Sequence, residues 1–405
     1  MRFNPYRPDK IITPALFAGR INELLRFEKS LVQAKHGNPN HFAIIGERGI
    51  GKSSLCFYLQ FVAMGELNGL KGSKFSFVVV SIALNDDLNQ TDILCCLGAE
   101  LQQRLRTVYS TSDLAQSAWK FLSKWEVLGV AYHEGAKIEA KPFELLEELA
   151  TTVASAAAKL KEDGRDGILF IIDEADKPRA DAHLGRSLKL FTESLTKKGC
   201  DNVLIGLAGL PELFDRLRES HESAPRVFDP IELLPFEDAD QLNAIHKGIA
   251  EANAKNAEKT LIMPEAAKAI AAHAEGFPHF LQQFAYSAFD VDQDCSICAK
   301  DVENGAAGKG GAIDALGVRY FRDAYWSSIG SDDYRLVLKS MASDGRKWVS
   351  KKAIRERTKI KEGILNNAIN ALKERRVIIP KPGKQGLYRL PSEAFAKWIL
   401  REKDE

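Results

Sequence analysis

Several things are missing from this sequence, and each absence narrows what the chain can be. No stretch approaches the roughly 20 uninterrupted apolar residues that a membrane-spanning helix requires. The segment Met1 to Thr13 carries Arg2, Arg7, Asp9 and Lys10 with no apolar run behind them, so neither a signal peptide nor a transit peptide is readable. The expected location is the cytosol, with no membrane partner. There are only six cysteines in 405 residues, which is not the dense framework that small secreted domains use in place of a core. Cys295 and Cys298 form a CxxC, but no second CxxC and no HxxxH pair supplies the remaining ligands of a zinc site. Both are read as thiols at helix ends. Internal repeats are also absent.

What remains is the mixture of an ordinary globular protein, 45% hydrophobic and 27% charged, in a chain long enough for two or three cores. A net charge of +1 conceals an asymmetry. From Ser331 to Glu405 there are 19 Lys and Arg against 10 Asp and Glu, so this tail carries +9 and residues 1–330 carry −8. A basic tail on a slightly acidic body points to a polyanion met by the tail alone.

Short β-rich apolar runs recur at His41 to Ile45, Phe75 to Leu84, Ile168 to Ile172, Val203 to Leu207 and Ile231 to Leu234. Near-continuous hydrophobicity suits strands covered on both faces. Helical patterns alternate with them, at Lys52 to Met64, Thr91 to Arg106, Pro142 to Leu160 and Leu184 to Thr196, which predicts a parallel α/β sheet. The segment Asp86 to Lys141 is expected to add helices beside the core. After Pro235 the strand signal stops, and Phe236 to Val302 reads as helices. Gly305 to Gly311 reads as a flexible joint, and the helical, aromatic stretch Asp314 to Ser327 follows it.

Gly46-Glu47-Arg48-Gly49-Ile50-Gly51-Lys52-Ser53 matches GxxxxGK[ST], follows an apolar run and precedes an amphipathic helix, which is the context that gives this motif its meaning. The glycines let backbone N–H groups curl around phosphates at a helix N-terminus, Lys52 reaches the β and γ phosphates, and Ser53 takes a magnesium ion. Ser54, next in the chain, is a further expected nucleotide contact. The partner motif is Ile168-Leu169-Phe170-Ile171-Ile172-Asp173-Glu174, a buried strand presenting two carboxylates. Asp173 is the expected magnesium ligand and Glu174 the group that polarises the attacking water. Asp176, the last residue of the tetrad Asp173-Glu174-Ala175-Asp176, is expected to cap or to pair in the following loop.

With these residues in place the chain resembles the AAA+ and STAND ATPases, in the branch holding replication-origin initiators and transposition-regulator ATPases. The resemblance is carried by Phe17-Ala18-Gly19-Arg20-Ile21-Asn22-Glu23-Leu24, by both phosphate motifs, by Leu204 to Leu213 as the sensor 1 strand, by Pro225-Arg226-Val227, and by Gly276-Phe277-Pro278-His279-Phe280-Leu281 in a helical lid. It implies a nucleotide site completed by Phe17, Arg20 and Pro278, and an arginine finger at Arg226 offered to the ATP of a neighbouring subunit, with Arg216 and Arg218 as rivals. The chain departs from the pattern twice. The sensor 1 strand ends in Gly209 where a polar residue is usual, and the lid lacks the usual sensor 2 arginine. The resemblance with these losses implies slow or assembly-dependent hydrolysis.

In the basic tail, Asp332 to Met341, Val349 to Arg357 and Glu362 to Arg376 read as three helices, and Val377 to Leu390 as a hairpin around a Gly/Pro turn, the pattern of a winged helix-turn-helix. Its third helix would expose Asn366, Asn367, Asn370 and Lys373 to base edges, while Lys351, Lys352, Arg355, Lys381, Lys384 and Arg389 would meet phosphates. The expectation is therefore α/β: an AAA+-like P-loop NTPase core with a parallel sheet over residues 1–235, a helical lid over 236–312 and a winged helix-turn-helix over 313–405. The expected function is an ATP- and magnesium-dependent ATPase that oligomerises with ATP and binds duplex DNA. A STAND-type switch whose winged helix docks a protein partner or autoinhibits is the alternative.

Overall fold

The computed structural model describes residues 2–108, 141–327, 329 and 331–402, in two compact units. One spans Ile11–Leu234, and the other joins the residues up to Lys10 with Pro235–Glu405.

The first unit is built on five parallel strands: β1 (Phe42–Ile45), β2 (Phe77–Ala83), β3 (Gly167–Asp173), β4 (Val203–Gly209) and β5 (Asp229–Glu232), in the order β2-β3-β4-β1-β5. Its helices are α1 (Ile21–Lys35), α2 (Lys52–Met64), α3 (Gln90–Val108), α4 (Pro142–Glu162), α5 (Leu184–Lys197) and α6 (Leu213–Ser220). Every residue of β4 is buried, as the apolar runs require of central strands with helices on both faces. Gly206 lets the sheet close here, because a Cβ would fall 2.2 Å from the Phe42 ring. Gly65 ends α2 with φ +79, and its missing Cβ makes room for the Phe75 carbonyl, 2.2 Å from where that atom would stand. Helix α3 falls in the segment expected to add helices beside the core, and residues 109–140 of that segment lie outside the described residues.

The second unit contains α7 (Asp238–Lys255), β6 (Leu261–Ile262), α8 (Pro264–Ala274), α9 (Pro278–Val291), β7 (Ser296–Ile297), α10 (Ala299–Ala307) and α11 (Ala312–Leu316). Then come α12 (Asp332–Ala342), β8 (Val349–Ser350), α13 (Lys351–Thr358), α14 (Glu362–Glu374), β9 (Ile379–Pro380), β10 (Leu387–Arg389) and α15 (Glu393–Arg401). Proline opens α8 and α9 at positions where its missing N–H is not needed. Strands β8, β9 and β10 form an antiparallel sheet in the order β8-β10-β9, which with α12 to α14 makes a winged helix.

Four sequence expectations change. The strand signal does not stop at Pro235, since β6 and β7 pair in parallel over two residues each, too short for any periodicity to register. Gly305–Gly311 is not a flexible joint: Gly305 lies inside α10, where a Cβ would sit 2.6 Å from the Ser287 carbonyl, so the glycine is there for close helix packing. Val349 and Ser350 belong to a strand rather than to the second helix, with Ser350 capping α13 through the Ala353 N–H. The first residues, assigned by the sequence to the core, instead clasp the second unit. Arg2 pairs with buried Asp292 at 2.7 Å, the Asn256 side chain bonds both the N–H and C=O of Phe3, and the Tyr6 hydroxyl donates to the Ile245 carbonyl at 2.8 Å.

One buried titratable group ties the start of β1 to β4. The Ile205 N–H donates to His41 Nδ1 at 3.1 Å, and burial pushes the imidazole down to about 4. His41 is therefore neutral in the fold, whereas an unfolded chain takes up a proton below about pH 6.5. Its contribution, up to roughly 3 kcal/mol, is fully present above about pH 6.5 and is lost as pH falls toward 4. His41→Asn keeps an acceptor at the same reach without the titration. Melting temperatures of wild type and variant are expected to diverge between pH 7.5 and pH 4.5, the wild type falling more steeply. Parallel curves would contradict this assignment.

Candidate nucleotide site and basic surface

The C-terminal ends of β1, β4 and β3 lie side by side, the usual place for a ligand in a parallel sheet. The loop Gly46–Gly51 leaves β1 and feeds α2. Gly49 and Gly51 have φ of +81 and +96, which a side chain would strain, and a Cβ on Gly46 would meet Ile50 at 2.9 Å. Lys52 opens α2, its Nζ donating to the Gly46 and Glu47 carbonyls at 2.8 and 3.1 Å. Burial lowers its pKa, while Asp173, Asp176 and Glu47 pull it back up, so the ammonium stands in a field of carboxylates. Ser53 and Ser54 share the first turn, half-buried, while Glu47 and Arg48 are exposed and Ile50 is buried.

Asp173 ends β3, and its Oδ1 accepts from the Glu174 N–H at 2.8 Å. Glu174 has φ +55, a left-handed conformation costing about 1 kcal/mol or more in a non-glycine residue, of the kind that collects at functional sites. Its carboxylate pairs with Lys177 at 2.7 Å. Both side chains are about half exposed, so the pair is worth little and can exchange for another partner. One carboxylate and one hydroxyl, Asp173 and Ser53, form an oxygen-only donor pair that fits magnesium, which takes its other ligands from phosphates and water.

Arg20 holds the loop from behind. It is buried, in a left-handed conformation just before α1, and its guanidinium donates to the Ile50 carbonyl at 2.9 Å and the Leu234 carbonyl at 2.6 Å. The sequence named Arg20 as a nucleotide contact. The structure uses its donors to tie the phosphate loop to the last residue of the first unit. Phe17 is buried and stacks on Tyr58 of α2, ring centres 4.5 Å apart; Tyr58 was not anticipated. Asp176, expected to cap or to pair in the loop that follows it, instead reaches the neighbouring strand: its Oδ1 accepts from the Leu210 N–H just beyond β4 at 2.9 Å.

Arg226 lies exposed in a short turn, Ala224–Val227, with no side-chain partner among the described residues. Its rivals are engaged: Arg216 pairs with Glu219 and Arg218 with Asp215, each within its own helix. Pro278 opens α9 in the second unit.

In the winged helix, α14 buries Leu365, Ala368, Ile369 and Leu372 and exposes Asn366, Asn367, Asn370 and Lys373, the face the sequence assigned to base edges. Lys352 is the most exposed of the cations on α13, whereas Lys351 and Arg355 share Glu362 at 3.6 and 3.1 Å. Lys384 is exposed in the hairpin turn. Lys381 and Arg389 lie over the Trp348 ring, at 5.4 and 4.7 Å from its centre. Arg389 is half-buried there beside Arg346, and burial lowers its pKa, so packing engages it more than a phosphate contact requires.

No family model matches the chain. The chain is 24% identical over 287 residues to an uncharacterized HTH-type transcriptional regulator of Methanocaldococcus jannaschii, an alignment covering 69% of this chain and 64% of that protein, so it spans less than two thirds of the relative's length. The Aeropyrum pernix ORC2 protein, solved as ADPNP-ADP complexes, superimposes with a TM-score of 0.61 over 97% of this chain and 95% of its own, at 13% identity. Its ADP form gives a TM-score of 0.53 over 96% and 95%, at 14% identity. The fold is that of the AAA+ P-loop ATPases. The likeness extends through the C-terminal winged helix, and at these identities it concerns the fold. Among the described residues no helix is long and apolar enough to cross a membrane.

The AAA+ fold gives Arg20 a testable weight. Arg20→Ala removes two charged hydrogen bonds, one to the buried Ile50 carbonyl and one to the Leu234 carbonyl, and is expected to cost about 2–3 kcal/mol. Because one of those carbonyls belongs to Ile50, nucleotide affinity should fall together with the melting temperature. Unchanged affinity in a destabilised variant would limit Arg20 to a role in folding.

Proposed function

We propose that this protein binds ATP with magnesium at Gly46–Ser54, Asp173 and Glu174, hydrolyses it slowly, and uses nucleotide state to control self-association and duplex DNA binding. The observation that carries this reading is the placing of Lys52 and of Asp173 and Glu174 at strand ends on either side of β4, in the fold of a protein solved with ADPNP and ADP. The exposed asparagine face of α14 and the +9 tail support the DNA half.

The chemistry follows from the residues. The loop N–H groups and Lys52 hold the β and γ phosphates and neutralise charge that grows as the bridging oxygen departs. Magnesium, when bound through Ser53 and Asp173, withdraws charge from the same oxygens. Glu174, freed from Lys177, orients a water whose oxygen bonds the γ-phosphorus. The bond from that phosphorus to the β–γ bridging oxygen breaks, ADP leaves with the electron pair, and the water's proton passes to solvent. Arg226, exposed and with no side-chain partner among the described residues, is suited to reach the ATP of a second copy, which makes hydrolysis dependent on assembly. The paired Arg216 and Arg218 are less suited.

In the DNA half, Lys352, Lys384 and the shared cations Lys351 and Arg355 would contact phosphates, and the asparagines would read adenine edges. Binding of labelled duplex DNA should rise with ATP over ADP. The triple variant Lys351→Glu, Lys352→Glu, Arg355→Glu should lose the ATP-stimulated binding, and whatever binding remains at low salt should have a salt slope shallower by about three. Arg226→Ala should retain ATP binding while hydrolysis in the assembled state drops by about 10³-fold. Absence of duplex binding at low salt in every nucleotide state would remove the DNA half and favour a protein partner for the winged helix.

A further inference from the structure

Strand β4 ends between the phosphate loop and the Asp173 strand. Ile45 pairs with Gly209, and the Gly46 N–H donates to the Gly209 carbonyl at 3.3 Å. On the other side the Ala175 N–H donates to the Ala208 carbonyl at 2.9 Å. Position 209 thus ends β4 beside both the phosphate loop and the turn after Asp173, and the residue there is glycine. The space is already filled: a Cβ on Gly209 would lie 2.6 Å from Asp176 Oδ1. Asp176 comes from the turn after β3, folds back over the tip of β4, and is fixed there by the Leu210 N–H at 2.9 Å. Its other oxygen has no partner among the described residues, the side chain is half-buried, and its charge is felt by Lys52. Glycine at 209 and aspartate at 176 thus form one device, in which the polar group of the β4 tip is delivered from the neighbouring strand's turn.

We propose that Asp176 orients the attacking water together with Glu174, its free carboxylate oxygen accepting a hydrogen bond from that water, in the place that Gly209 leaves open. This rests on the ATPase reading above. A carboxylate in this place cannot bond the γ-phosphate oxygens, which carry the same charge, whereas a water with two protons can be held by two carboxylates at once. One of those protons is released as the oxygen bonds phosphorus, and Asp176 retains the orientation of the other. Asp176 is held by the Leu210 N–H, while Glu174 is paired with Lys177 and must leave it to reach the water, so one acceptor is preset and the other is recruited.

The test combines a conservative change with a transposition of the polar group. Asp176→Asn keeps an oxygen for the Leu210 N–H and removes the charge. It should bind a fluorescent ADPNP analogue within about threefold of wild type while kcat falls by about 10²-fold. Gly209→Ser alone should lower both kcat and melting temperature, because its Cβ displaces Asp176. Combined with Asp176→Ala, Gly209→Ser is relieved of its closest contact and has only Leu213, 3.2 Å from the new Cβ, to displace, and kcat should recover at least about tenfold over Asp176→Ala alone. Wild-type kcat in Asp176→Asn, or a double variant no faster than Asp176→Ala, would overturn the proposal while leaving the ATPase reading intact. A wild-type protein that neither binds the analogue nor hydrolyses ATP would overturn both.

Discussion

The site depends on three parallel strand ends being held level. Backbone hydrogen bonds do this: β4 is joined to β1 through Ile45, Gly46 and Gly209, and to β3 through its ladder and the Ala175 N–H bond to Ala208. Parallel pairing fixes which residues share a level, and a slip of one residue would turn every side chain to the opposite face. Gly206 over Phe42 and the fully buried face of β4 hold that register in place. With the ends level, the loop lysine, the Asp173 carboxylate and the Asp176 carboxylate have little choice but to converge.

Around that frame the loops are held by polar groups with few alternatives. Arg20 joins the phosphate loop to Leu234, the residue at which the first unit ends, so the loop's shape and the exit of the chain are set by a single guanidinium. The chain passes between the two units at two points, Lys10 to Ile11 and Leu234 to Pro235, because the N-terminal residues belong with the second unit.

Much of this was legible from residues alone. The phosphate loop and its helix announce themselves, since glycine spacing, a lysine and an apolar strand are each needed for a separate physical reason, and helix Lys52–Met64 has the bounds its periodicity gives. Strands β3 and β4 were equally plain because burial on both faces leaves no polar residue inside them. The illegible parts depend on partners distant in sequence. The clasp of Arg2, Phe3 and Tyr6 is formed with residues some 240 to 290 positions away, and polar residues at a chain start carry no periodic signal. Gly305 reads as flexible until Ser287 is seen against it. Helix α15 follows the hairpin unannounced, although its apolar face at Phe395, Trp398 and Ile399 repeats at helical spacing. The glycine at 209 reads as a loss, and only the position of Asp176 shows what fills the space.

If these strand ends form an ATP site, equilibrium binding shows it most directly. Titration of a fluorescent ATP analogue with magnesium into the wild-type protein and into Lys52→Ala should show saturable binding that the variant weakens by about 10- to 100-fold, as loss of charged hydrogen bonds to phosphate implies. Equal affinity in the two proteins, or no saturable binding by the wild type, would contradict it.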